Sequence, residues 1–105
     1  MPDARTRRIA ENEARFRAIN ERLRGELEAL GGGDDPIGFV CECARVDCRA
    51  VLEIVPSAYR AVREHPLRFM VAPGHELPDV ERVVERHDPD YFVIEKPEEV
   101  ADILT

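Results

Sequence analysis

From about Thr6 to Leu30 the chain has no proline, and glycine only at Gly25, while Ile9, Phe16, Leu23 and Leu30 recur at intervals of seven. This spacing predicts a long amphipathic helix. Ile19 and Leu27 lie beside the stripe and complete a narrow apolar face. Glu11/Arg15, Glu13/Arg17, Arg22/Glu26 and Arg24/Glu28 set opposite charges one turn apart, each pair worth only about a few tenths of a kcal/mol. Such a helix depends on its stripe being covered. Asn12 and Glu26 stand where a strong coiled coil places its second apolar residue, which weakens that reading. Two arrangements stay open: the stripe packs on the chain's own sheet, or it pairs with another helix, from a second copy or a different protein. Ile9, Phe16, Ile19, Leu23, Leu27 and Leu30 are the candidate interaction residues.

Gly31, Gly32 and Gly33 stop the helix, and Asp34, Asp35 and Pro36 extend the break. Beyond it the period shortens. The segments 37–43 (IGFVCEC) and 49–55 (RAVLEIV) are rich in β-branched residues, with Ala50, Leu52 and Ile54 on one face, and predict two strands paired around the intervening loop. Ser57, after Pro56, suits the N-cap of a short helix whose Tyr59 and Val62 face one way before Pro66. Residues 67–72 (LRFMVA) predict a third strand with Leu67, Phe69 and Val71 on one face, followed by a turn at 73–76 (PGHE). The stretch 79–86 fits either a helix, through Val80, Val83, Val84 and His87, or the first arm of a hairpin into 91–96 (YFVIEK); its β-branched content and the Asp88-Pro89-Asp90 turn favour the hairpin. Pro97, Glu98 and Glu99 form a suitable first turn for a terminal helix bearing Val100, Ile103 and Leu104. The expected architecture is α+β: an amino-terminal amphipathic helix in residues 1–33, then a small, mostly antiparallel sheet domain with short helices in 34–105.

Composition narrows the setting. With 44% hydrophobic and 35% charged residues over 105 positions the chain reads as globular, with a core small enough that a metal or a partner would help to hold it. No run approaches the roughly 18–20 apolar residues of a membrane span, and the charged start lacks the hydrophobic stretch of a signal peptide, so a cytoplasmic location is expected. Net charge is −7, unevenly spread: residues 1–33 carry seven arginines against six acids, while residues 34–105 carry eight basic against sixteen acidic residues. The acidic part should repel a phosphate backbone, which argues against nucleic acid as a partner. Only Arg5, Arg7 and Arg8 form a basic start, and a solvated helix end explains them more simply.

All three cysteines fall within eight residues, 41–48 (CECARVDC). An odd count in a reducing compartment argues against a disulfide framework. On a strand, residues two apart share a face, so Cys41 and Cys43 should project together while Glu42 points away, and a reversal over four residues can return Cys48 to the same point. Three thiolates suit zinc, with iron as the competing metal. A structural zinc site takes four ligands, and His75 is the favoured fourth because glycine in its turn lets the backbone approach another segment. Water or Asp47 are further options; His65 ends a helix and His87 sits in a turn.

The segment CECARVDCR resembles the cysteine segment of post-SET regions, in which C-x-C-x4-C supplies three zinc ligands and a distant part of the fold the fourth. That similarity covers about nine residues and implies the metal chemistry alone, since the rest of a SET methyltransferase is lacking. Over most of the chain, the order NEARFRAINER, CECARVDC, YRAVREHPLRFMVAPGHE and VERVVERHDPDYFVIEK resembles a set of small uncharacterised bacterial proteins. This resemblance implies Cys41, Cys43, Cys48 and His75 as a shared constellation and brings no activity with it.

The functional expectation is a zinc-stabilised protein-interaction or regulatory module with one zinc per chain, and a protein partner or homodimer through the amino-terminal helix. A thiol-based redox sensor is the alternative, with Arg45 and Arg49 near the thiols. A zinc enzyme fits less well: Glu76 beside His75 is the one offered acid or base, the deaminase order H-x-E then P-C-x-x-C is reversed here, and H-E-x-x-H, G-x-S-x-G, P-loop and dinucleotide fingerprints are missing.

Overall fold

The computed structural model describes residues 3–104. Helix α1 spans Ala4–Ala29. Asp3 caps it by accepting a hydrogen bond from the Thr6 N–H at 2.8 Å, satisfying one of the orphan donors of the first turn. At the far end Gly31 adopts φ 74°, and the N–H groups of Gly31 and Gly32 return to the carbonyls of Glu28 and Leu27, a Schellman closure that a β-carbon would strain. Twenty-six helical residues extend about 39 Å, which accounts for most of the 42 Å long axis of the molecule.

Strand β1 (Ile37–Val40) pairs antiparallel with β2 (Val51–Ile54), Ile37 opposite Ile54 and Val40 opposite Val51. Leu52 and Ile54 point inward and Val51 and Glu53 outward, as alternation requires. A second antiparallel sheet has the order β3-β5-β4, from β3 (Arg68–Val71), β4 (Arg82–His87) and β5 (Tyr91–Glu95). The 79–86 stretch thus resolves as a hairpin arm from Arg82 onward, with a bulge between Val83 and Glu85. The two sheets meet where the Glu42 N–H donates to the Met70 carbonyl at 2.8 Å. After β5, a single 3-10 turn at Glu98–Val100 leads into α3 (Ala101–Leu104), with Val100 and Leu104 buried.

Helix α2 (Pro56–Arg63) buries Tyr59 and Val62, and Tyr59 stacks on Phe39 at 4.4 Å. Its N-cap differs from expectation. Val55 occupies the cap and Pro56 the first helical position, so Ser57 lies inside the first turn. The cap is supplied from the α1–β1 connection instead: Asp34 accepts from the Ser57 N–H at 2.8 Å and from its hydroxyl at 2.6 Å. These two bonds hold the Asp34 carboxyl below its ordinary range.

The central sheet is covered on both faces. Phe69, Val71, Phe92 and Ile94 join Ala10, Val100, Leu104 and the cysteines in one cluster; Met70 and Val93 join Phe39, Leu52, Tyr59 and Val62 in the other. Helix α1 packs against β1 and the carboxy-terminal turn, and its buried ridge is Thr6, Ile9, Ala10, Glu13 and Asn20. Of the expected stripe, Ile9 is buried and Phe16, Leu23 and Leu27 are half-buried, whereas Ile19 is 49% and Leu30 84% exposed. No described helix is long and apolar enough to cross a membrane.

Candidate metal centre

The structure brings Cys41, Cys43, Cys48 and His75 together, with their ligand atoms all within 4.8 Å of one another. The route differs from strand parity. β1 ends at Val40, so Cys41 and Cys43 lie in the extended segment just past it. Alternation nevertheless survives there, because Cys41 N–H still bonds to the Ala50 carbonyl and Glu42 N–H to that of Met70, one to each sheet. Both cysteines are buried, and Cys48 returns after a turn closed by its N–H on the Arg45 carbonyl. His75 arrives from the turn after β3, in which Gly74 takes φ 91° and the His75 N–H donates to the Ala72 carbonyl.

His75 Nδ1 lies 3.6 Å from Cys41 Sγ and 3.5 Å from Cys48 Sγ. A tetrahedral centre with metal–sulfur bonds of about 2.3 Å and a metal–nitrogen bond of about 2.05 Å has S···N edges of about 3.6 Å. These two edges match a zinc-sized ion, and all four ligand atoms lie close enough to surround one cation. The Ala72 N–H donates to Cys41 Sγ at 3.2 Å, the kind of backbone bond that orients a thiolate ligand. The Cys41 thiol is pushed up, first by its hydrogen bond to Cys43, and Cys43 is pushed down to about 5, first by that same bond. A cation at the centre would favour the thiolate form of each cysteine ligand. Asp47 is not part of the cluster. Glu76 accepts from the Gly74 N–H at 2.8 Å and so braces the turn, and Arg49 bonds to the Cys48 carbonyl rather than to its sulfur.

Sequence reasoning missed what holds the loop. Glu42, expected to point away from the thiols, does so, into the interior instead of solvent. It accepts from the Met70 N–H at 2.9 Å on one oxygen, and from Asn20 Nδ2 at 2.9 Å and the Tyr59 hydroxyl at 2.6 Å on the other. Complete burial raises its pKa, and these bonds oppose the shift. Asn20 also exchanges both backbone bonds with Val40, its Nδ2 donating to the carbonyl at 2.8 Å and its Oδ1 accepting from the N–H at 2.9 Å. Asn12 Nδ2 reaches the Ala44 carbonyl at 3.0 Å. Residues 40, 42 and 44 are thereby pinned to α1 while 41 and 43 face the metal position. The one available signal was an acidic residue inside an otherwise apolar segment, IGFVCEC.

No known protein family, curated protein or solved structure matches the chain.

Proposed function

We propose that the chain is a zinc-stabilised interaction module: one zinc, held by Cys41, Cys43, Cys48 and His75, ties the β1–β2 loop to the turn after β3. The S···N distances of 3.5 and 3.6 Å, which match the edge of a tetrahedral zinc site, carry this reading. Four protein ligands leave no open position for water, so the proposed centre is structural, and Glu76, the nearest expected acid or base, is occupied with its own turn. Ile19 and Leu30, left exposed on α1, are the residues offered to a protein partner or a second copy, and a cytoplasmic setting would keep the thiols reduced.

Elemental analysis of purified protein should find about one zinc per chain. Chelation should unfold it, because the free energy of such a site is folding free energy. Cys48→Ser and His75→Ala should both lose the metal; either variant found folded with full zinc occupancy would overturn the ligand assignment.

A second reading is supported by exposure. Cys48 and His75 are half-buried while Cys41 and Cys43 are buried, so an oxidant reaches the cluster through Cys48. A thiol sensor of this kind would release zinc at low peroxide, with Cys48 oxidised first; retention of zinc under those conditions leaves the structural role alone.

A further inference from the structure

Arg17 and Arg24 on α1 and Arg60 and Arg63 on α2 line an open groove of about 440 Å³ that also reaches Leu104. Glu21 and Glu64 are the acids of that lining and Glu28 pairs with it from α1, so among the described residues four arginines meet three carboxylates, a positive balance in a chain of net charge −7. The internal counter-charges are incomplete. Arg24 pairs with Glu21 at 2.8 Å and Glu28 at 2.9 Å, and Arg60 reaches the same Glu28 at 3.3 Å. Glu21 approaches Arg63 only to 3.6 Å, without a hydrogen bond on that oxygen. Arg17 has no carboxylate at ion-pair distance among the described residues and donates only to the carbonyls of Pro66 and Leu104. Arg24 Nε is buried with no acceptor.

Two of these cations are also held against one ring. The guanidinium carbons of Arg17 and Arg63 stand 5.0 and 5.3 Å from the centre of the same buried ring, Phe69. Stacking and carbonyl bonds fix their planes, which removes much of the ordering a ligand would otherwise impose. Burial and the neighbouring Arg63 charge lower the Arg17 pKa, as expected of a cation short of counter-charge.

We propose that this groove binds the phosphate group of a small organic phosphate monoester. The guanidinium groups short of counter-charge, Arg17 foremost, favour an anion, and the tetrahedral oxygens of a phosphate can accept from several guanidinium planes at once, where a carboxylate serves one or two. The acidic remainder of the chain disfavours a polyanion, which selects a small ligand over nucleic acid. The site lies between helices, and its argument uses no zinc ligand.

The test is a titration of zinc-loaded, full-length, 15N-labelled protein with inorganic phosphate and with phenyl phosphate, following the arginine Nε–H signals. Those of Arg17, Arg24 and Arg63 should shift saturably with both, and not with chloride at matched ionic strength. Arg17→Gln should weaken phosphate binding about tenfold. Arg60→Gln removes a half-exposed partner with little risk to folding and should weaken it about threefold; Arg7→Gln, on the exposed side of α1, should change nothing. Equal shifts with chloride, or unchanged affinity in folded Arg17→Gln and Arg60→Gln, would overturn the site. A phosphoserine peptide binding tenfold tighter than phenyl phosphate would replace the small-molecule assignment with a peptide one.

Discussion

Glu42 is the residue on which the most depends. It is a buried carboxylate placed between two metal-ligand candidates, and its side chain meets α1, α2 and β3 at once. An ionisable group survives in a core only when its oxygens are hydrogen-bonded, and three donors serve the two oxygens of Glu42. Removing the acceptor leaves the Met70 N–H, the Tyr59 hydroxyl and the Asn20 amide short of a partner in a dry site. Glu42→Ala in the zinc-loaded protein should therefore lower the unfolding free energy by about 3–5 kcal/mol, measured by denaturant unfolding. Tyr59→Phe deletes one donor and leaves two, so a loss of about 1–3 kcal/mol is expected. The double variant should fall short of the sum of the singles, because the Tyr59–Glu42 bond is lost only once; strict additivity would show that the two side chains do not work as one network.

At the scale of elements, helix α1 shows what periodicity reveals and where it stops. Its length and ends were legible in the proline-free run and the three glycines that close it. The buried face was not, because the ridge that enters the core is centred on Thr6, Glu13 and Asn20, polar residues that also recur every seven positions. The partners of Glu13 and Asn20, namely Lys96 for the first and Val40 and Glu42 for the second, lie far along the chain, and no local pattern announces them. The apolar stripe lies to one side of that ridge, so that Ile9 is inside and Ile19 outside. The β4–β5 hairpin, by contrast, was readable from its β-branched content and its Asp-Pro-Asp turn, since both signals are local. The Asp34 cap on α2 escaped for the same reason as Asn20: a local candidate, Ser57, was present, and a distant acid became its partner. The four metal-ligand candidates were legible because spacing and residue type are strong signals for soft-metal chemistry; the supports beneath them were not. The orientation of α1 makes a sharp contrast between two substitutions. Ala10→Glu places a charge where Ala10 is completely buried and should cost about 3 kcal/mol or more. Ile19→Glu should stay within about 0.5 kcal/mol of the parent as a monomer, and sedimentation would show whether it dissociates a self-associated form. If Ile19→Glu proved as damaging to the isolated chain as Ala10→Glu, the face assigned to the core would be wrong.

For the molecule as a whole, the buried charges joining α1 to the carboxy-terminal sheet set the dependence on pH. Lys96 Nζ lies 3.1 Å from Glu13 and 3.2 Å from Glu81, all three side chains essentially inaccessible, so two carboxyl groups share one ammonium. The 3.1 Å contact is an ion pair without hydrogen-bond alignment, and both Glu13 oxygens lack a hydrogen-bond donor. Burial, then repulsion from Glu81, pushes the Glu13 pKa up to about 9, against the pull of Lys96. The folded chain thus holds a proton on Glu13 that the unfolded chain releases near the ordinary value of 4.5. A group of this kind stabilises the fold fully below its unfolded pKa and loses that contribution as pH rises through its folded pKa. Stability should accordingly decline between about pH 5 and pH 9, with a slope of at most about 1.4 kcal/mol per pH unit for one proton. The surface carboxylates act in the opposite sense. Asp3, Asp34, Asp79 and Glu95 are held below their ordinary values by hydrogen bonds and arginine partners, so their contribution is present above those values and fades only in acid. Maximum stability is therefore expected on the mildly acidic side of neutrality. Glu13→Gln keeps the shape and removes the titration, so unfolding free energies of the zinc-loaded parent and variant, measured from pH 6 to 9, should converge or cross as the parent falls and the variant stays nearly flat. Parallel curves would place the buried proton elsewhere than on Glu13.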